Sequence, residues 1–145
     1  MLTMFDDDGL NRLFKETRFI DTKQIKRVII AGSRTAESMT ILRKALRGCG
    51  WKPKVILSGR APGADRLGER YANAEGLELE EYPADWNRLK KRAGMVRNAE
   101  MVKHADGLIA LWDGKSPGTR HVIACAHARG IPTYVYVFDP ADFLT

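Results

Sequence analysis

The chain has 145 residues, a formal charge of +6, 44% hydrophobic and 29% charged residues, and an isoelectric point near 9.5. That length suits one domain with a real core, and no apolar run approaches the roughly 20 residues needed to span a bilayer. The positive charge favours an anionic partner, nucleic acid or a phosphorylated small molecule, and equally serves plain solubility.

Residues 1–24 read as an N-terminal extension. Leu10, Leu13 and Phe14 have helical spacing, with Phe19 and Ile20 close behind. Met1–Asp8 carries three aspartates and no basic cluster, unlike an export signal. Two cysteines, Cys49 and Cys125, make neither a disulfide framework nor a metal site. The expectation is a cytoplasmic protein with both thiols reduced.

Residues 25–145 read as the main domain. Lys26–Ala31 is a short β-branched run ending at Gly32, the signature of a buried parallel strand. Ser38–Arg47 is predicted to be helical, ended by Gly48 and Gly50. Val55–Leu57 is a second strand and Ala64–Glu75 a second helix. Leu77–Tyr82 is a third strand. One helical turn is predicted at Trp86–Lys91 and a fuller helix at Arg92–His104, with Met95, Ala99 and Val102 inward. Gly107–Trp112 is a fourth strand, Arg120–Arg129 a helix ended by Gly130, and Ile131–Phe138 a fifth strand with Tyr134 and Tyr136 on one face. Strands alternating with helices predict an α/β, Rossmann-like three-layer domain: a mostly parallel five-stranded sheet in the order 3-2-1-4-5, with helices on both faces. The ligand cleft belongs at the strand carboxyl ends, where the strand order reverses.

Three strand-end loops and one helix carry the chemistry. Gly32-Ser33-Arg34 offers a close backbone approach, a hydroxyl and a guanidinium suited to a phosphate. In Ser58–Asp65, Gly59 and Gly63 let the backbone bend, and Asp65 sits in the first turn of its helix. Asp65 is either a carboxylate favoured by the helix dipole or an acceptor for ribose hydroxyls or a base amino group. Gly114-Lys115-Ser116-Pro117-Gly118-Thr119 is the strongest of the three, because Gly118 and Thr119 would open a helix and aim N–H groups and a hydroxyl at an anion. Neither the Gly-x-x-x-x-Gly-Lys-Ser/Thr spacing nor Gly-x-Gly-x-x-Gly is present, so ATP hydrolysis and NAD-dependent hydride transfer lose their sequence support. Arg97 and Asn98 are expected to line the cleft from their helix. Arg88, Lys90, Lys91 and Arg92 form a basic cluster, either a solvated face or a nucleic-acid patch. His104, His121 and His127 lack metal-ligand spacing, so no metal site is expected; His121, three residues past Gly118, is within reach of the pocket, but a surface or capping role suits it better. Trp86 and Trp112 stand at loop edges, where packing at the rim suits them better than stacking on a base.

Ala31–Arg34, Leu57–Asp65, Tyr82–Trp86, Ala93–Met101 and Trp112–His121 stand in an order that resembles the YspA/YpsA-related branch of the SLOG superfamily, over residues 26–138. The resemblance implies a Rossmann-like fold and a nucleotide-derived small molecule as partner, with no cofactor firmly implied. It implies that Gly32, Ser33, Arg34, Gly59, Gly63, Asp65, Ser116, Gly118 and Thr119 line the site, with Arg97 and Asn98 beside it. SLOG relatives include phosphoribohydrolases of the LOG type, sensor domains for nucleotide signals, and the DNA-processing protein A fold, and they often form homodimers. LOG enzymes carry a catalytic glutamate within three residues of their Gly-Thr, whereas here Arg120, His121 and Val122 follow. Hydrolysis of an N-glycosidic bond needs a carboxylate near the anomeric carbon. Asp65, Glu100 and Asp113 are the remaining candidates. A nucleotide-binding sensor or carrier is therefore the first expectation. A nucleoside 5′-monophosphate phosphoribohydrolase and a single-stranded nucleic-acid binder are the alternatives.

Overall fold

The central strands are runs that are apolar on both faces, and this dictates helices on each side of the sheet. The computed structural model describes residues 3–5 and 21–143. Its strands are β1 (Thr3–Phe5), β2 (Arg27–Gly32), β3 (Val55–Ser58), β4 (Glu78–Glu81), β5 (Gly107–Trp112) and β6 (Thr133–Val137). The helices are α1 (Met39–Cys49), α2 (Ala64–Glu75), α3 (Trp86–Leu89), α4 (Ala93–Val102) and α5 (Pro117–Arg129). The order across the sheet is β1-β6-β5-β2-β3-β4, and every pairing is parallel. Numbering only the five expected strands gives 3-2-1-4-5. Thr3–Phe5 adds a sixth strand beside β6. The helix expected around Leu10, Leu13 and Phe14 lies outside the described residues.

Alternation along the central strands sorts the core into two layers. Val28, Ile30, Ile56, Ile109 and Leu111 pack with Ile41, Leu42 and Ala45 of α1 and with Leu67 of α2. Ile29, Leu57, Leu108, Ala110 and Val135 pack on the other side with Met101 and Val102 of α4 and with Val122 and Ala126 of α5. The two tyrosines of β6 share the first layer, as the pattern predicts.

Two local expectations are corrected. Gly48 does not end α1. The helix continues to Cys49 and Gly50 caps it in the left-handed conformation, while Gly48 is helical and lacks a side chain because Tyr134 fills the space one would need. Helix α4 is rotated from the expected face. Met95 is 55% exposed and Ala99 is exposed, whereas Ala93, Asn98, Met101 and Val102 are buried. A buried asparagine holds the position where periodicity looks for an apolar residue.

The chain leaves β2 towards β3 and β4, then returns to place β5 on the other side of β2. Two neighbouring strands thus send their connections in opposite directions, opening a crevice at their carboxyl ends.

Candidate functional site

A cleft of about 670 Å3 opens at that reversal point. Its floor is Ala31 and Gly32 of β2, and its walls are the loops after β2 and β5, α4 and the first turns of α5.

Ser33 joins three segments. Its N–H donates to Leu111 O (2.9 Å), and its carbonyl accepts from Ala64 N at the start of α2 (3.2 Å). Its Oγ accepts from Asp113 N (3.0 Å) and touches Ser116 Oγ (3.0 Å). A buried hydroxyl with these partners positions the loops around it. Asp113 organises the loop after β5: Oδ1 accepts from Lys115 N and Ser116 N, both at 2.8 Å, and lies 2.9 Å from Ser116 Oγ. Burial pushes this carboxyl up, yet the Lys115 and Ser116 amides together with the Ser116 and Ser33 hydroxyls outweigh burial and hold it below the usual aspartate range. An ionised Asp113 therefore pins the turn that leads into α5.

That turn delivers the start of α5 to the cleft. Pro117 takes the first helical position, where a missing N–H costs nothing, and the first helical bond is Arg120 N to Ser116 O. The N–H groups of Gly118 and Thr119 thus have no carbonyl partner within the helix. Thr119 is 3% exposed in the cleft wall, and its buried Oγ1 has no hydrogen-bond partner among the described residues. Arg34 and Lys91 line the same cleft, and neither makes an ion pair among the described residues.

Asp65 and Arg97 form the opposite end. Asp65 is 4% exposed, its Oδ2 accepts from Ala61 N (3.0 Å), and burial pushes its carboxyl up to about 6 against the pull of that amide and of Arg97. Arg97 donates to Gly59 O and, through Nε, to Asn98 Oδ1 (2.9 Å). A guanidinium only donates, so Asn98 must present its oxygen to Arg97 and its Nδ2 to His121 Nδ1 (3.2 Å). Nδ1 is then the acceptor, and the imidazole proton sits on Nε2. His121 lines the cleft as a tethered side chain, not in the surface or capping role expected of it.

Nine of the expected site residues meet in the cleft: Gly32, Ser33, Arg34, Asp65, Arg97, Asn98, Ser116, Gly118 and Thr119. Five stand behind or outside its lining. Ser58 is fully buried and donates to Glu69 Oε2 (2.6 Å), which also binds Arg60. Gly59 lies under Arg97 and Asp65, where a side chain would collide with both. Gly63, at φ 83°, passes so close to the Ser33 and Arg34 backbone that a Cβ has no room. Gly114 and Lys115 form the exposed tip of the Asp113 turn. Sequence reasoning did not place Lys91, Met101, Asp113 or Val122 in the lining. An Asp-Gly-x-Ser turn is a readable signal for Asp113, whereas Met101 and Val122 look like core in any sequence. Trp86 is 55% exposed at the mouth, while Trp112 lies outside the lining, under the Arg120 guanidinium (5.8 Å), with Nε1 donating to Ser116 O (3.2 Å). Of the three candidate carboxylates, Glu100 is exposed and pairs with Lys103 and His104, and Asp113 is held by its turn. Asp65 is left, with no hydrogen bond to Oδ1 among the described residues. Among the described residues no three His, Cys, Asp or Glu side chains converge as metal ligands, and no helix is long and apolar enough to cross a membrane.

Residues 26–89 match the family model described as YspA, cpYpsA-related SLOG family. The Gene 61 protein of Mycobacterium phage D29 is 38% identical over 117 residues, an alignment taking in 74% of this chain and 94% of that protein. The chain belongs to the YspA, cpYpsA-related SLOG family. The segment matched to this SLOG family carries the Gly32–Arg34 loop and the Ser58–Asp65 loop. The Asp113 turn and the α5 N-terminus complete the cleft from beyond it.

Proposed function

We propose that the cleft binds a nucleotide or nucleotide-derived ligand through its phosphate, and that the protein acts as a cytoplasmic sensor or carrier of that ligand. The observation that carries this reading is the buried, unpartnered Thr119 hydroxyl beside the free Gly118 and Thr119 amides. Burying a hydroxyl without a partner costs about 1–3 kcal/mol, and a phosphate oxygen would satisfy it. The helix dipole and the unpaired Arg34 supply the attraction. The volume of the cleft lies within the range of small-molecule sites. SLOG family membership supports a nucleotide-related ligand.

Thr119→Val tests this with opposite signs. It keeps the shape and removes the orphan oxygen, so the free protein should gain about 1 kcal/mol of stability while affinity for a nucleoside monophosphate falls about tenfold. Arg34→Ala should weaken the same ligand by about tenfold or more without a loss of stability, because Arg34 is exposed. The measurement is calorimetric titration of AMP, ADP, ADP-ribose and NAD, with a thermal melt of each variant. Unchanged affinity in both variants would remove the α5 end of the cleft from consideration.

One observation favours a second reading, release of the base from a nucleoside monophosphate. Asp65 is a cleft-lining carboxylate with an unbonded oxygen, placed to stabilise positive charge at an anomeric carbon or to orient water. Chromatography of AMP incubated with the protein distinguishes it, since a carrier returns AMP intact.

A further inference from the structure

The lining of the cleft reaches α3 and the start of α4 through Trp86, Lys91, Gly94 and Met95. Three of the four exposed large hydrophobic side chains among the described residues belong to α3 and the start of α4: Trp86 at 55%, Met95 at 55% and Val96 at 44%. Trp86 and Met95 reach the cleft itself. Between them in sequence stand Lys90, Lys91 and Arg92, none in an ion pair among the described residues, whereas the neighbouring Arg88 is matched by Asp85 (3.0 Å). The chain turns at Lys90, whose φ of 54° is rare for a residue with a side chain and whose N–H donates to Trp86 O, so the basic run begins where the turn carrying Trp86 ends.

An aromatic ring, two apolar side chains and a run of unmatched cations, contiguous with a phosphate-type pocket, have the composition of a surface for stacked bases and a phosphate backbone. A solvated face would not need the exposed tryptophan, and a protein partner would more often call for fewer lysines. We propose that the ligand is a single-stranded nucleic acid carrying a terminal phosphate. The terminal nucleotide occupies the cleft with its phosphate at Thr119 and the α5 N-terminus. The next bases stack on Trp86 and Met95, and their phosphates meet Lys90, Lys91 and Arg92. This rests on the nucleotide reading of the cleft and extends it from a monomer to the end of a strand.

The test is fluorescence anisotropy of the full chain with short labelled oligonucleotides of about six residues, each prepared with a 5′-phosphate, a 3′-phosphate or neither. AMP serves as competitor. The variants are Lys90→Glu with Arg92→Glu, and separately Trp86→Ala. All three residues lie on the exposed rim, so folding should be unaffected. One phosphorylated form should bind about tenfold or more tighter than the unphosphorylated strand and than AMP, and AMP should displace it. The charge reversal and Trp86→Ala should each lower strand affinity about tenfold; the charge reversal, at residues outside the cleft lining, should also leave AMP affinity unchanged and flatten the salt dependence. Which end carries the phosphate decides the polarity of the strand. If AMP binds and no strand binds tighter, the cleft reading stands and the rim proposal falls. Strands that bind regardless of phosphate and resist AMP would make the rim a nonspecific patch and also overturn it. Should neither AMP nor any strand bind, both readings fall. A charge reversal that changes only self-association, read by light scattering, would assign the rim to a second copy of the chain.

Discussion

Replacing Gly32 by alanine should cost about 3–5 kcal/mol and lower the melting temperature by about 10 °C or more. Gly32 ends β2 with φ 153°, and its Cα is paired with Leu111 of β5. A Cβ there would be driven into the Leu111 carbonyl, with the carbonyl carbon and the amide nitrogen only 2.8 Å away. Both atoms are backbone of a central strand, so no rotamer change relieves the overlap. The same carbonyl accepts from Ser33 N, and so the substitution would also disturb the residue that joins the cleft loops. Gly50→Ala is the control. Gly50 has φ 74° with open space around it, and only backbone strain of about 1 kcal/mol is expected. Urea unfolding of both variants gives the comparison, and equal losses would contradict the close β2–β5 crossing.

Asp65→Asn should do the reverse and stabilise the protein at pH 7.5, by up to about 3 kcal/mol. Burial is the largest influence on Asp65, and it lifts the carboxyl from 3.8 to about 6 despite the Ala61 amide and Arg97. Between those two values the folded state holds a proton that the unfolded chain has lost. Stability therefore falls as the pH rises through that window, and the full cost is present above about pH 6. Asparagine keeps an oxygen for the Ala61 N–H and carries no charge to desolvate. Its advantage should shrink as the pH is lowered and be gone by about pH 4. Chemical denaturation of both proteins from pH 4 to pH 8 measures this, and a pH-independent difference would mean that Asp65 is not held as a strained charge. A carboxylate that weakens the fold at neutral pH and lines the cleft is the kind of residue kept for what it binds or does.

The sheet was legible because buried parallel strands are short apolar runs bounded by glycine and polar loops. Val28–Ala31, Val55–Leu57 and Leu108–Trp112 can be read as little else. Strand β1 was not legible, since Thr-Met-Phe is too short for any periodicity to register. The inward face of α4 was misread because Asn98 is buried by two hydrogen bonds, from Arg97 and to His121, that no pattern of apolar residues encodes. The cleft loops were found from their glycines, yet Gly59 and Gly63 act where backbone and side chains pass close to one another, behind the lining. Glycine marks tight geometry, and the polar atoms that face the cleft belong to neighbours such as Thr119 and Asp65. The tether on His121 depends on Asn98, 23 positions earlier, and becomes visible only once α4 and α5 lie side by side.

The hydrogen bond from Asp113 N to Ser33 Oγ links positions 80 residues apart. Neither half of the cleft exists as a binding surface until β5 has inserted beside β2, a pairing that follows the β3 and β4 excursion in the chain. On the proposed nucleotide reading, a nascent chain would bind the ligand only once α5 has emerged. A ligand that then bridges Arg34 and Thr119 fastens the pairing with the greatest loop-closure cost of the central strands. Occupancy of the cleft should accordingly slow unfolding, with the ligand acting as a latch across the middle of the sheet.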